Sequence, residues 1–371
     1  MTLDPNAFGL DISDFSIKIA KLKKSGRNFK LVSFGEFSIK PGIIQDGDIK
    51  EKDALVKLIE KSLGSVKGEK IRTNQAIVSL PEGKSFLEII KLPLMEPEEI
   101  EQAIRYEIEN YIPLPVEDVY WDFQIIQPFS KHLKHTNVLV AAIPKKAADP
   151  YLAVLKQAGL KTLVLEVEST AIARALVPVE AEAKQVLLLD LGATRTGFTI
   201  FSGSSLICIF SIPVCGRIFD QAIAKEFDVA LEEAENLKKK YGLNQKIRIE
   251  IQNGLKKKLK PGRVFEAMIP ALTDLSEQIQ KYIDYYYTHI DLDSRAKKID
   301  KVFLSGGGSY LEGIRDFLAE GFKLPIELGD PWINITNGIR GHSSKKFLKK
   351  PLIYTTVLGL ALRGVKSKHN L

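Results

Sequence analysis

Two stretches of the chain repeat one pattern of apolar and polar positions. "FGLDI" from Phe8 is an apolar run tipped by Asp11; a polar break follows, then "SIKIAKL" and, after "KSGRN", "KLVSFGEFSIK". "VLLLDLG" from Val186 is an apolar run tipped by Asp190; a break at Gly192 follows, then "TGFTIFS" and "SLICIFSIPV". Short apolar or alternating runs bounded by turn residues read as strands. Each set therefore predicts three strands joined by tight turns. In the first, "EKDALVKLIEKSL" comes next, with Leu55, Leu58, Ile59 and Leu63 at helical spacing, and then a strand, "QAIVSLP". In the second, "RIFDQAIAKEF" reads as a helix. Lys18 follows Asp11 at the same distance as Gly197 follows Asp190. A unit recurring after about 180 residues predicts two similar lobes.

The intervening stretch has another character. "MEPEEIEQAIRYEIENY" carries Ile100, Ile104, Ile108 and Tyr111 at helical spacing, with glutamates in its first turn where the helix dipole favours them. "IPLP" (Ile112–Pro115) ends that helix, because proline cannot continue it. "VYWDFQIIQ" and "KHTNVLVAAIP" read as strands, "AADPYLAVLKQAGL" as a helix closed by Gly159, and "KTLVLEVES" as a strand. The later region predicts helices over "ALEEAENLKKKYG" and "RVFEAMIPALTDLSEQIQKYIDYYYTHI", with a short strand "KIRIEIQN" between them. "DKVFLSGGGSYLEGIRDFLAE" reads as strand, glycine turn and helix, and "YTTVLGLALRGV" as a helix rich in small residues.

Composition narrows the classes. Hydrophobic residues make up 45% and charged residues 27%, ordinary for a globular protein. Two cysteines, Cys208 and Cys215, make no disulfide framework and point to a reducing compartment. "MTLDPNAFGLD" lacks the basic and apolar regions of a signal peptide, and no apolar run reaches a membrane-spanning length, so a cytoplasmic location is expected. The net charge of +7 permits an anionic partner without requiring one. The lysine clusters at Lys238–Lys240, Lys256–Lys258 and Lys345–Lys350 read as solvated faces and loops, without the interleaved aromatics of a nucleic-acid platform. The five histidines show no zinc spacing.

The aspartate-tipped turns carry the candidate chemistry. A tight turn leaves backbone N–H groups free to line an anion-binding concavity. Gly192 and Gly197 permit close approach, and Ser13, Ser16, Thr194 and Thr196 supply hydroxyls. Lys18 supplies a positive charge, and Asp11 and Asp190 suit a hydrated Mg²⁺. A lone hairpin of this kind is ordinarily a turn capped by its aspartate; its repetition favours two turns on one polyphosphate. "SGGGS" places Gly306, Gly307 and Gly308 after a strand, with Ser309 positioned to cap the following helix. It is neither a dinucleotide fingerprint nor a Walker A loop, and "EGKS" at Glu82–Ser85 also lacks the required earlier glycine. Glu235 and Lys238 share a helix face at a spacing that ordinarily means a surface ion pair.

These elements, in this order, resemble the actin-like ATPase superfamily of actin, Hsp70 and sugar kinases. Within it, "IKLPLMEPEEIEQAIRYEIENYIPLPVEDVYWDFQII", "PGIIQDGDIK", "IPVCGRIFDQAIAKEF" and "YTTVLGLALRGV" resemble the PilM family of type IV pilus assembly proteins over essentially the whole chain. The resemblance implies an α/β, ribonuclease H-like fold of two lobes with a small α/β insertion. It divides the chain into first-lobe residues 1–85 and 165–185, an insertion at 86–164, and second-lobe residues 186–228 and 299–345. A helical and strand subdomain at 229–298 and a C-terminal segment, 346–371, packing on the first lobe complete the division. It assigns Asp11, Ser13, Ser16 and Lys18 to the first phosphate loop and Asp190, Gly192, Thr194, Thr196 and Gly197 to the second. Glu235 and Lys238 face the nucleoside, and Gly306, Gly307 and Ser309 form the adenosine turn.

ATP with Mg²⁺ is the implied cofactor, held in the cleft between the lobes. Hydrolysis would be slow at most, with Glu168 the candidate base. The implied partner is the N-terminal cytoplasmic peptide of an inner-membrane protein, PilN, docking between the first lobe and the insertion. Peripheral membrane association through that partner, contact with other pilus components, a part in twitching motility and self-association are further implications. The chain departs from the family at "DISDF", where Ser13 stands for a glycine and Asp14 for a serine, and at Cys215, which stands for a glycine. Asp14 would oppose phosphates by about 4 kcal/mol at about 4 Å and an effective dielectric of about 20, unless it points outward or carries Mg²⁺. Rival readings are an actin-like small-molecule kinase, an FtsA-like cell-division actin, disfavoured by the polar ending "RGVKSKHNL", and a GspL-like secretion protein, which needs a transmembrane segment.

Overall fold

The computed structural model describes residues 6–80, 82–126, 135–178, 185–202, 205–243, 263–289, 298–335 and 348–365. In chain order the elements begin β1 (Phe8–Ile12), β2 (Ser16–Ser25), β3 (Asn28–Ser38), β4 (Ile44–Gln45), β5 (Asp48–Ile49), α1 (Lys52–Gly64), β6 (Lys67–Gly68) and β7 (Gln75–Leu80). Next come β8 (Phe86–Pro93), α2 (Pro97–Tyr111), β9 (Val119–Ile126), β10 (His135–Pro144), α3 (Lys145–Gln157), β11 (Lys161–Val167) and α4 (Glu168–Leu176). There follow β12 (Gln185–Leu191), β13 (Thr196–Ser202), β14 (Ser205–Ile212), α5 (Gly216–Phe227), α6 (Leu231–Tyr241) and α7 (Arg263–His289). The last are β15 (Ile299–Ser305), α8 (Ile314–Phe322), β16 (Ile326–Leu328) and α9 (Thr355–Val365). The strand expected over "KIRIEIQN" and the lysines at 256–258 lie outside the described residues.

Two compact units result. The first takes Met1–Gln185, Thr199–Ile209 and Asp330–Leu371; the second takes Val186–Phe198 and Phe210–Gly329. The first unit's main sheet has the order β11-β7-β1-β2-β3-β6. β1, β2 and β3 form an antiparallel meander, while β7 lies parallel to β1 and β11 parallel to β7. Phe8, Leu10, Ile12, Ile17 and Ile19 point to one buried cluster shared with Leu55 and Ile59 of α1 and with Tyr151, Val154 and Leu155 of α3. Ala20, Leu22 and Leu31 join another with Leu358, Ala361 and Leu362 of α9.

α9 fits because two glycines admit it. A Cβ on Gly9 of β1 would lie 2.5 Å from the Val357 carbonyl oxygen, and one on Gly359 would lie 1.9 Å from the Ala171 oxygen of α4. The helix is thus wedged between the strand that carries Asp11 and α4. Glu166 pins the same region, pairing with Arg174 and, at 3.2 Å, with Arg363 of α9. Burial alone would raise the Glu166 carboxyl, but Arg174 and Arg363 outweigh it and hold its pKa below the usual range.

The insertion is a small sheet of order β8-β10-β9 under α2. Ile100, Ile104 and Ile108 of α2 bury against Ile90, Val138 and Val140, as their spacing predicts; Tyr111 is instead exposed. The Glu96 backbone N–H donates to Glu99, closing a capping box at the helix start. Phe201, Leu206 and Ile209, counted with the first unit, pack on Leu87, Ile89, Ile126 and Leu139 of this sheet.

The five-stranded sheet has the order β14-β13-β12-β15-β16. It repeats the first: a three-strand run ending at an aspartate-bearing strand, then strands beyond it that come later in the chain. α7 covers it through Phe198, Phe210 and Tyr282, with Phe210 stacked on Tyr282 at 4.2 Å between ring centroids.

Candidate functional site

The first hairpin turns between β1 and β2. The Ser13 N–H donates to the Ser16 carbonyl at 2.9 Å, and the Ser13 and Ser16 hydroxyls lie 3.1 Å apart. Asp11 and Lys18 face each other across the strands. The Lys18 ammonium lies 3.3 Å from Asp11 Oδ2 and donates to the Ser16 hydroxyl at 2.9 Å. The other Asp11 oxygen, Oδ1, accepts from the Ser79 hydroxyl of the neighbouring parallel strand at 2.7 Å. Burial alone would lower the Lys18 ammonium, but Asp11, Glu36 and Glu168 outweigh it, so its pKa is raised above the usual lysine value. The lysine is therefore a fixed charge at neutral pH. The same interaction places Glu168, at the first turn of α4, in electrostatic reach of this hairpin.

The second hairpin, between β12 and β13, closes the same way. The Gly192 N–H donates to the Arg195 carbonyl at 3.0 Å, and Asp190 Oδ1 accepts from the Ser305 hydroxyl of β15 at 2.6 Å. Here the glycine is needed, since a Cβ on Gly192 would lie 2.7 Å from the Arg195 oxygen. At Ser13 the same closure forms without a left-handed backbone, so the serine in the family's glycine position does not bar the turn.

Ser79 and Ser305 were not legible as site residues. Ser79 is next to last in β7 and Ser305 last in β15, each fully buried beside the aspartate strand. The signal available was a serine near the end of each of these strands.

Asp14 does not point outward: its carboxylate is buried and accepts the Gly47 N–H at 3.0 Å. The Tyr151 hydroxyl donates to the Gly47 carbonyl at 2.9 Å. The tight turn between β4 and β5 is clamped from both sides by groups of the first unit. Burial, then Asp14 and Glu168, push the Tyr151 hydroxyl well above its usual pKa, so it stays a donor.

Four further candidates make local contacts other than those expected. Thr196 is buried and donates to the Val214 carbonyl at 2.7 Å, which uses its one hydroxyl proton. Ser309 does not cap a following α-helix. Gly306, at φ 79°, leads into a single 3-10 turn, Gly307–Tyr310, in which Ser309 donates to the Gly306 carbonyl at 2.6 Å. α8 starts only at Ile314, after Gly313. Glu235 and Lys238 do not pair with each other: Glu235 meets Lys239 at 2.7 Å, and Lys238 meets Asp220 of α5 at 2.7 Å.

Those contacts tie the second unit's candidates into one cluster. Lys238 also donates to the Gly216 carbonyl at 2.8 Å. The Gly216 and Arg217 N–H groups donate to the Gly192 and Ala193 carbonyls, each at 3.0 Å. A Cβ on Gly306 would lie 2.9 Å from Asp190 Oδ1. The glycine turn, the second hairpin, the α5 N-terminus and Lys238 are thus contiguous. Thr194 and Gly197 are half-buried on the hairpin itself. The thiols stand apart: burial pushes Cys208 up to about 12, and Cys215 sits buried at the start of α5. No cluster of three metal-ligating side chains occurs among the described residues.

A model of the family described as Type IV pilus assembly protein PilM matches residues 9–365. The chain belongs to that family. It is similar to a chain of a solved PilM-PilN type IV pilus biogenesis complex at 26% identity and TM-score 0.78, covering 97% of this chain and 99% of that one. MreB 5 of Spiroplasma citri bound to AMPPNP matches at TM-score 0.54 and 14% identity, covering 96% and 94%. EutJ, an ethanolamine utilization protein from Carboxydothermus hydrogenoformans, matches at 0.53 and 14%, covering 96% and 89%. The fold is accordingly α/β and actin-like. The cell division protein FtsA of Pseudomonas aeruginosa is 22% identical over 229 residues, 58% of this chain and 50% of that protein. The chain spans about half the length of the curated relatives it matches. No helix among the described residues of this PilM-family member is long and apolar enough to cross a membrane.

Proposed function

We propose that the protein is a nucleotide-binding scaffold of type IV pilus assembly, working on the cytoplasmic face of the inner membrane. The observation that carries this is the duplicated turn. Each unit closes its hairpin with the same N–H to carbonyl bond, at 2.9 and 3.0 Å, and holds its aspartate with a serine of the next strand, at 2.7 and 2.6 Å. Such turns present backbone N–H groups and a carboxylate to a polyphosphate. ATP is the proposed ligand; the proposed phosphate contacts are Ser13, Ser16 and Lys18 on the first turn and Gly192, Thr194 and Gly197 on the second. Asp11 and Asp190, each already accepting a serine hydroxyl, are the proposed carboxylates for magnesium that keeps its waters. Glu235, Lys238, Gly306 and Gly307 are the proposed nucleoside side.

The solved PilM-PilN complex supports a PilN-like cytoplasmic peptide as partner. MreB bound to AMPPNP, a neighbour of the same fold, supports the nucleotide. Binding would shift the population between conformers that differ in affinity for the peptide. Glu168 is the candidate base for a slow hydrolysis. Fluorescence anisotropy of the partner's N-terminal peptide, with and without Mg-ATP, tests the coupling. The reading predicts a saturable signal whose affinity changes with nucleotide; no peptide binding in either condition would refute the scaffold role. An FtsA-like cell-division role is the second reading, favoured by the partial likeness to FtsA. Nucleotide-dependent filaments in place of peptide binding would support it.

A further inference from the structure

We propose that the end of the β2–β3 hairpin, together with β6, is a docking surface for an anionic lipid bilayer. Five of the ten residues from Lys21 to Lys30 are basic and none is acidic. Residues 67–72, "KGEKIR", add three basic groups and one carboxylate, Glu69. The fold brings the two segments together. β6 pairs with β3, with Ser33 opposite Gly68 and Phe34 opposite Lys67. The Glu69 N–H donates to the Val32 carbonyl at 2.8 Å. With Lys21 buried, the exposed groups of this one region carry a net excess of six positive charges, against a formal +7 for the entire chain.

The arrangement is electrostatically costly to the folded protein alone. Lys23 and Lys30 are direct cross-strand partners, and like charges placed opposite one another destabilise a sheet. Glu69 answers them all: it pairs with Lys23, and Lys23, Lys21 and Lys30 hold its carboxyl below the usual range. Lys24 adds charge on the other face of the hairpin, opposite Phe29. Leu348 packs with Leu22 and Leu31, and the exposed Lys349 and Lys350 follow it at the same end. Lys238 and Lys239 of α6 have acidic partners in Asp220 and Glu235.

The chemistry of the patch selects a bilayer over nucleic acid. Its charges are mostly lysines, mobile point charges suited to a diffuse anionic surface, not the planar forks of arginine that grip single phosphates. The one aromatic in these two segments, Phe29, packs into the core beside Leu22 and Leu31 and offers no stacking platform. Clusters of about four to eight basic residues bind anionic headgroups, each lysine adding about fivefold in affinity. The proposal stands independently of the nucleotide reading.

Sedimentation of the full chain with phosphatidylglycerol-containing vesicles and with pure phosphatidylcholine vesicles tests it. Binding to the anionic vesicles alone is expected, weakening as salt rises. The triple variant Lys23→Gln, Lys24→Gln, Lys30→Gln should bind about 100-fold more weakly, at about fivefold per lysine. Glu69→Gln, which removes no basic group, should bind several-fold more tightly, and it remains the decisive variant if the triple one loses its circular dichroism signal. Equal binding to neutral vesicles, or a Glu69→Gln protein that binds no better than wild type, would overturn the proposal. So would tighter retention of duplex DNA than of anionic vesicles at the same salt, which would assign the patch to nucleic acid.

Discussion

Gly359 tests the packing that places the first hairpin. It lies inside α9, where alanine is ordinarily favoured over glycine by up to about 1 kcal/mol. A Cβ there would lie 1.9 Å from the Ala171 oxygen and 2.5 Å from its carbonyl carbon, both backbone atoms that cannot rotate aside. Ordinary contact begins near 3.4 Å, so α9 and α4 would have to part by about 1.5 Å. α9 also touches Gly9, two residues before Asp11, so the displacement reaches the strand that carries the site. Overpacking of this kind costs about 1–3 kcal/mol, and the larger end applies where both neighbours are backbone. Gly359→Ala should therefore destabilise the protein by about 1–2 kcal/mol net of the propensity gain. Gly321, in α8, is the control: a Cβ there meets nothing within 4 Å. Gly321→Ala should stabilise by about 0.5–1 kcal/mol. Urea unfolding followed by circular dichroism reads both midpoints. A Gly359→Ala protein as stable as wild type would refute the wedge.

Three other outcomes follow from the same geometry. Glu166→Gln leaves Arg174 and Arg363 without their carboxylate and should cost about 3–5 kcal/mol. Because the Glu166 pKa is lowered on folding, its contribution is present above about pH 4.3 and is lost as pH falls through the folded value; the variant's stability should accordingly fall less between pH 5 and 3 when both are unfolded in urea across that range. The Lys18 pKa is raised, so its contribution is complete below about pH 10.4 and is lost only as pH rises through the folded value. Nucleotide affinity should then be flat in Lys18-dependent terms from pH 7 to 9, and a drop across that window absent from Lys18→Ala would contradict the fixed charge. Tyr151→Phe removes the buried bond to the Gly47 carbonyl and should cost about 1 kcal/mol in thermal unfolding.

The hairpins, the repeat and the amphipathic α2 were legible because each rests on local periodicity and on residues a few positions apart. Lys18 was legible as a charge on the first hairpin, and the strand register that sets it opposite Asp11 came from the fold. What stayed hidden is what depends on contacts distant in sequence. Ser79 reaches Asp11 and Ser305 reaches Asp190 only once parallel strands are side by side. Lys238 is spaced to pair with Glu235 on its own helix, but Asp220 on α5 takes it. Asp14 read as a charge facing phosphates, whereas the β4–β5 turn supplies the N–H that takes its carboxylate. Ser309 looked like a helix cap because a strand-glycine-serine run usually opens a helix, but the chain makes a 3-10 turn first.

The central claim is that each of the two turns binds nucleotide phosphates. Calorimetric titration of Mg-ATP into wild type, Lys18→Ala and Thr194→Ala addresses it directly, because each variant alters a single turn. Loss of a charge-assisted contact is worth about 1.5–3 kcal/mol, so Lys18→Ala should weaken binding by about 10- to 100-fold. Thr194→Ala, which removes a neutral hydroxyl, should weaken it about fivefold. Full affinity retained by either variant would mean that its turn does not hold the phosphates, and the claim would fail for that turn.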